Sequence, residues 1–216
     1  MAVSFAVTPW EPAVSEAEPL SERQQAEVRH RFANAIQLIS ALTRMRGQRA
    51  RDPETKRQLT AMLDSISILG LVQQRCLGPH PDDIGGFLQD LAPQWRRRCT
   101  GRPIQLDVEI EPVSAREHIM SAIGLIANEM VSNALTHAFA DDQAGRVQVR
   151  LVRLDDGRAE LTVSDDGMGY DPAAVSDSTL GLWLIKGLTQ QVRGTLTTTT
   201  YGGVTARLAF ATQHDS

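Results

Sequence analysis

Apolar residues recur at a helical period over the front third of the chain and at a strand period further on. Val28, Phe32, Ile36, Ile39 and Leu42 follow one another at intervals of 4, 4, 3 and 3, the spacing of one helix face. Ser21 stands before this run as a cap, and Gly47 is its expected end. Asp52-Pro53-Glu54 then offers a cap, a first-turn proline and a first-turn acid for a second helix. Its stripe is Leu59, Met62, Leu63, Ile66, Leu69 and Val72, and Gly78-Pro79-His80-Pro81 stops it. The pattern predicts an αα-hairpin. Two helices cannot bury two stripes alone, so a homodimer through the hairpin, forming a four-helix bundle, is expected. Residues 1–20 hold three prolines and no periodicity, which predicts a disordered leader.

Beyond residue 82 the period changes. A short helix is expected from Ile84 to Leu91. Ile104-Gln105-Leu106-Asp107-Val108-Glu109-Ile110 alternates strictly, as a half-buried strand does. A long helix follows over Ala115–Phe139. Strands at Arg146–Arg153 and Arg158–Ser164 flank Leu154-Asp155-Asp156-Gly157, a tight-turn signal. A polar loop, Asp165–Ser178, leads to a helix at Leu180–Val192 and to two strands about Tyr201-Gly202-Gly203. The fold class is α+β: a mixed, mostly antiparallel sheet with helices on one face, behind a helical hairpin. The expected division is a leader at 1–20, a hairpin domain at 21–78 and an α/β sandwich at 82–212.

Composition narrows the function. The 216 residues are 42% hydrophobic and 22% charged, near the globular average. No apolar run approaches the ~18 residues of a membrane span, and the start lacks a basic n-region, so a cytoplasmic protein with no membrane partner is expected. Cys76 and Cys99 have no CxxC or His-rich company, which disfavours a disulfide framework and a structural zinc site. The net charge of −4 disfavours a nucleic-acid partner, and no set of stacking aromatics accompanies the arginines. Arg23–Arg57 nevertheless carries nine basic residues against three acids, a balance of +6, so the rest of the chain carries −10. A basic front suits an acidic surface or a phosphate.

Four groups could carry chemistry. His30 lies about 200° round the helix from Val28 at ~100° per residue, so it points away from the apolar stripe. Asn34 is one turn on, and Arg29 and Arg31 flank it; an exposed imidazole among cations is a good phosphoryl acceptor. The long helix carries Asn128 and, spaced i, i+4, i+8, Glu129, Asn133 and His137 among apolar neighbours. A neutral Asn oxygen suits Mg²⁺ completed by water and phosphate. Asp165-Asp166-Gly167-Met168-Gly169 is a DxGxG at a strand end, where a carboxylate can accept from an exocyclic amine and glycines admit close backbone approach. The similar Asp155-Asp156-Gly157 has hairpin spacing and is expected to be a turn only. In Thr179-Leu180-Gly181-Leu182 a loop enters a helix with a glycine, an arrangement that admits phosphate.

In this order the groups resemble the GHKL-type ATP-binding fold over residues 84–211. The chain from about residue 24 to 211 resembles a bacterial sensor histidine kinase core without a sensor domain. His30-Arg31-Phe32-Ala33-Asn34 resembles an H-R-x-x-N phosphoacceptor segment. Asn128-Glu129-Met130-Val131-Ser132-Asn133-Ala134-Leu135-Thr136-His137-Ala138-Phe139 resembles the N-E-L-x-x-N-A-L-x-H-A-F of the ATP-site helix. The resemblance implies a kinase that autophosphorylates His30 from ATP and passes the phosphoryl group to an aspartate of a response-regulator receiver domain. It implies Asn34 and Glu129 as catalytic neighbours and Asn133 on Mg²⁺. It further implies His137, Asp165, Gly167, Gly169, Gly181, Leu182 and Thr205 around the nucleotide. Any input would come from a separate sensor protein or from the leader.

The chain departs from the pattern at Ala33 and Thr136, where many relatives carry Lys; a missing cation weakens phosphate binding or slows transfer. Arg31, not an acid, follows His30, and the loop from Gly169 to Leu180 is short for a lid. The rival is a histidine phosphotransferase of the same architecture that does not use ATP. Retention of Asn133, DxGxG and LGL disfavours it. A kinase for protein serine would need no exposed His on a two-helix hairpin.

Overall fold

The computed structural model describes residues 21–140, 142–169 and 180–212. The leader, Thr179 and most of the expected loop before it lie outside these residues.

Helix α1 (Glu22–Arg49) opens with a capping box: Gln24 N–H donates to Ser21 Oγ, and Ser21 N–H donates to Gln24 Oε1 at 2.9 Å. It runs through Gly47 and stops at Ala50. Glycine costs a helix interior only about 1 kcal/mol, whereas Pro53 forces Asp52 out of the helical region; Asp52 has ψ 128°. Helix α2 (Pro53–Cys76) begins there, with Thr55 N–H donating to Asp52 Oδ2 at 2.7 Å. The helices run antiparallel, placing Leu59 beside Gly47 and Ile36 beside Gly70. Much of the α1 stripe stays exposed, including Val28 at 56% and Phe32 at 43%.

Helix α3 (Ile84–Cys99) is longer than expected. Its buried stripe of Ile84, Phe87, Leu88, Leu91 and Trp95 continues past Pro93, which faces solvent; the burial offsets the backbone hydrogen bond that proline removes. The remaining elements are β1 (Ile104–Ile110), α4 (Glu117–His137), β2 (Gly145–Arg153), β3 (Arg158–Asp165), α5 (Leu180–Gln191), β4 (Thr195–Thr199) and β5 (Thr205–Ala211). They form one sheet of order β1-β2-β3-β5-β4. β1 and β2 pair in parallel across α4, with Ile104 opposite Gly145; the other pairs are antiparallel.

Strand alternation turns Val147, Val149, Leu151, Ala159, Leu161, Val163, Leu208 and Phe210 to one face, all buried, and the helices α3, α4 and α5 cover that face. Helix α4 is buried on nearly all sides, without a break from Ala122 to Val131. Asn128, expected beside Glu129 on a polar face, is 1% exposed and accepts from Trp95 Nε1 at 3.2 Å. It is a core residue that satisfies a buried indole. Helix α2 joins this core through Ile68 and Val72, both buried. Ile68 and the Phe87 ring converge on Gly124, where a Cβ would lie 3.3 Å and 2.5 Å from them. Arg75 ties the end of α2 to α3, donating at 2.5 Å to both Asp83 and Asp90.

Asn128→Leu strands the Trp95 N–H and is expected to lower unfolding free energy by about 1–3 kcal/mol. Denaturant titration measures this; an unchanged midpoint would contradict the role given to that bond.

Candidate functional site

The site is built where α4 ends against the β3–α5 loop. Met168 N–H donates to Ala138 O at 2.9 Å, one residue beyond α4. Gly167 lies so close that a Cβ would be 2.1 Å from that same carbonyl oxygen. Only a glycine lets the DxGxG segment close onto the helix end. The segment is held from the other side by β5: Asp165 N–H donates to Val204 O at 2.9 Å, and a Cβ on Gly203 would be 2.0 Å from Asp165 O. Gly169 has φ 68° and Gly203 φ 112°, so both turns use the left-handed region.

Asp165 is half-buried at the end of β3. Its Oδ1 accepts from Gly167 N–H at 3.0 Å and Val204 N–H at 3.2 Å. These bonds fix the carboxylate and leave Oδ2 outside the pair. Burial pushes its pKa above the ordinary value, the two N–H donors pull it back, and Asp166 pushes it up again. Asp166 does different work: its Oδ1 accepts from Arg146 N–H at 2.6 Å and pins the loop to β2. The similar Asp155-Asp156-Gly157 is the β2–β3 turn, with Gly157 at φ 74° and Asp156 paired with Arg158. Thr205 opens β5 opposite Ser164, next to Asp165 along β3.

Helix α4 brings the remaining candidates. Glu129 is only 8% exposed. Its carboxylate faces the first turn of α5, where a Cβ on Gly181 would come within 2.9 Å of Oε2. Burial raises its pKa, Arg98 lowers it and Asp64 raises it. Asn133 is partly exposed one turn on, and His137 is exposed in the last turn. Gly181 and Leu182 are partly exposed in the first turn of α5. The structure thus brings Glu129 to Gly181, Gly167 to the end of α4 with Asp165 bonded to it, and Thr205 beside Asp165 on the sheet.

His30 stands apart on α1. It is exposed, and its Nδ1 lies 3.3 Å from the Asn34 amide nitrogen. Arg31 is paired with Glu27 at 2.6 Å.

Asp64 and Arg98, which belong to no motif, and Ser132, at an unspecified position of the ATP-site segment, also bear on the site. Arg98 Nη2 donates to Ser132 Oγ at 2.9 Å. Within Arg96-Arg97-Arg98 only the last falls three residues beyond Trp95 and seven beyond Leu91, on the buried face; Arg96 and Arg97 are exposed. That spacing is the signal for it.

A magnesium ion fits what is present. The amide oxygen of Asn133 and a carboxylate oxygen of Glu129 are hard donors, and Gly181 leaves room beside Glu129 that a Cβ would fill. Among the described residues no group of three or more His, Cys, Asp or Glu side chains gathers as a metal site, so the remaining ligands would be phosphates and water.

Comparison with known proteins agrees with this geometry. A family model described as a histidine kinase-like ATPase domain matches residues 102–209, and one described as histidine kinase matches residues 27–91. The chain belongs to the histidine kinase family. It is similar to blue-light-activated histidine kinase 2 of Erythrobacter litoralis, 27% identical over 84% of this chain and 54% of that protein. It is also similar to the sensor histidine kinase PdtaS of Mycobacterium tuberculosis, 27% identical over 75% of this chain and 33% of that one. The chain therefore spans about half the length, or less, of these curated relatives. The solved histidine kinase domain of the Erythrobacter litoralis EL346 blue-light activated histidine kinase superposes with a TM-score of 0.66 at 25% identity. That match covers 88% of this chain and 91% of that one.

The raised pKa of Asp165 carries a stability prediction. A carboxylate whose folded pKa exceeds its unfolded value costs stability once pH rises through that interval. Asp165→Asn keeps an acceptor for both N–H groups and removes that cost. The unliganded variant is expected to melt above the parent at pH 7, with the gap closing as pH falls toward the ordinary carboxylate range. Calorimetry across pH checks this; a gap that widens on acidification would contradict it.

Proposed function

We propose that the protein is a histidine kinase of two-component signalling. It autophosphorylates His30 from Mg-ATP and passes the phosphoryl group to an aspartate on a response-regulator receiver domain. The observation that carries this reading is the closure of the DxGxG segment onto the end of α4: bare backbone at Gly167 and Gly203, and one Asp165 oxygen outside the N–H pair. Asp165 Oδ2 would accept from the adenine amine, with Gly167, Gly169 and Thr205 shaping the pocket. Gly181, Leu182 and His137 would border the phosphates. Asn133 would hold Mg²⁺, with Glu129 on the metal or its water. The ion supplies charge neutralisation on the phosphates when bound.

At the acceptor, an Asn34 amide turned oxygen-first accepts the His30 Nδ1–H and leaves the Nε2 lone pair to attack. A bond forms from Nε2 to the γ-phosphorus, the bond to the β–γ bridging oxygen breaks, and ADP leaves. The ring proton passes to water from the exposed imidazole. Residues 21–78 serve dimerisation and phosphotransfer, and residues 82–212 bind ATP. The exposed α1 stripe supports a homodimer through the hairpin. The basic front suits an acidic receiver surface. Among the described residues no helix is long and apolar enough to cross a membrane.

His30→Ala is expected to abolish acid-labile labelling by γ-labelled ATP while calorimetric Mg-ATP binding persists; retained label would defeat the assignment. Asn133→Ala is expected to weaken Mg-ATP binding about tenfold or more, an effect of at least ~1.4 kcal/mol. Absence of Mg-ATP binding by the parent would instead favour a phosphotransferase that does not use ATP.

A further inference from the structure

The nucleotide proposed above lies along α4, and α4 brings it no fixed positive charge. From Glu117 to His137 the helix holds no Lys and no Arg. The segment that closes onto its end adds two acids, Asp165 and Asp166. With Asp165 taking the base beside Ala138, the phosphates run back along the helix toward Glu129, over about 14 Å of helix rise. That end is acidic as well. The Glu129 carboxylate is almost buried there, and Asp64 of α2 adds a second negative charge. A polyphosphate that reaches this end needs a cation that α4 does not carry.

Arg98 is the cation at that place. It stands in the last turn of α3, on the side that Leu91 and Trp95 bury, while Arg96 and Arg97 are exposed. Its Nη2 donates to Ser132 Oγ at 2.9 Å, three residues beyond Glu129 and so on nearly the same face of α4. Among the described residues it is the one cation whose charge bears on Glu129. Its own bonding is incomplete. Ser132 takes its one side-chain hydrogen bond, and Nη1 is buried without a partner among the described residues. A guanidinium offers five donors in a fixed fork, and a charged donor left buried and unmade is a cost to the fold. An apolar side chain would serve the packing of α3 on α4 better. A half-satisfied fork beside the metal-and-phosphate end is provision for an anion.

We infer that Arg98 is a phosphate-binding residue whose free Nη1 edge takes the terminal phosphoryl group of ATP, while Ser132 holds the other edge. The inference rests on the kinase reading above and adds to it a contact that discriminates between nucleotides. ADP ends one phosphate short of this fork, so Arg98 reads ATP against ADP. Ser132 is a positioning residue that aims the fork. The planar guanidinium suits this task because it presents two parallel donors to two oxygens of one phosphate.

The test uses the full chain and calorimetry with two Mg²⁺ complexes, ADP and the β,γ-imido analogue of ATP, which transfers no phosphoryl group. Arg98→Gln keeps a donor for Ser132 and removes the charge. Arg98→Lys keeps the charge and gives up the fork. The parent is expected to bind the analogue more tightly than ADP. Arg98→Gln is expected to weaken the analogue about tenfold or more and ADP by less than about twofold, and Arg98→Lys to lose less of the preference. Equal weakening of both nucleotides would assign the effect to Glu129, the metal or the fold, and would overturn the inference. Unchanged affinity for both would overturn it too, and in either case the kinase reading stands. Should Arg98→Gln fail to melt cooperatively, Arg98→Lys decides by the same comparison: the analogue weakened with ADP unchanged sustains the inference, and both or neither weakened overturns it. If the parent binds neither nucleotide, the kinase reading itself has failed and takes this inference with it.

Discussion

A helix buried on almost every side must find a partner for each polar group it carries, and α4 is such a helix. Water is absent along most of its length, so an unpaired amide or carboxylate there costs stability outright. Each polar residue on α4 has its own answer. Asn128 accepts from the Trp95 indole. Ser132 accepts from Arg98. Glu129 is pressed toward the bare backbone of Gly181. Asn133, Thr136 and His137 reach the open end of the helix. The same burial that makes α4 the spine of the sheet's covered face thus decides which polar groups are structural and which remain open to a ligand.

The β3–α5 loop shows the complementary economy of backbone. Gly167 and Gly203 are bare because carbonyl oxygens of Ala138 and Asp165 stand where a Cβ would be. Two N–H groups then converge on one oxygen of Asp165, which is still raised in pKa because burial outweighs them. A carboxylate held above its ordinary range without a ligand is a cost that the fold alone does not need. Such groups gather where a site requires a fixed acceptor.

Much of this was legible in the chain, for reasons that differ by element. The strict alternation of Ile104–Ile110 is a strand at those bounds, because one face of a half-buried sheet demands that period. Asp155 and Asp165 begin identical tripeptides, and the number of residues to the next strand separates turn from site. Gly47 and Leu91 misplace two helix ends: glycine costs a helix interior too little to stop it, and Pro93 is a weak stop where the stripe around it stays buried. Asn128 was indistinguishable from Glu129 by composition; one helical step turns it toward Trp95, a residue distant in sequence. The contact of α2 with α4 was illegible for a similar reason. Ile68 is absent from the hairpin stripe, and nothing local says that it meets Gly124 beside Phe87 rather than a second hairpin.

That division of α2 between two neighbours constrains how the molecule can assemble. Gly70 of α2 packs on Ile36 of α1, while Ile68 meets Gly124 of α4 and Val72 is buried. The apolar side chains still exposed are chiefly on α1, namely Val28, Phe32, Leu38, Ile39, Leu42 and Met45, with Met62 contributed by α2. An exposed apolar stripe of that extent marks an interaction surface. A second hairpin that paired through this stripe would leave Ile68 on Gly124, so assembly and the hold between α2 and α4 would not compete for the same side chains.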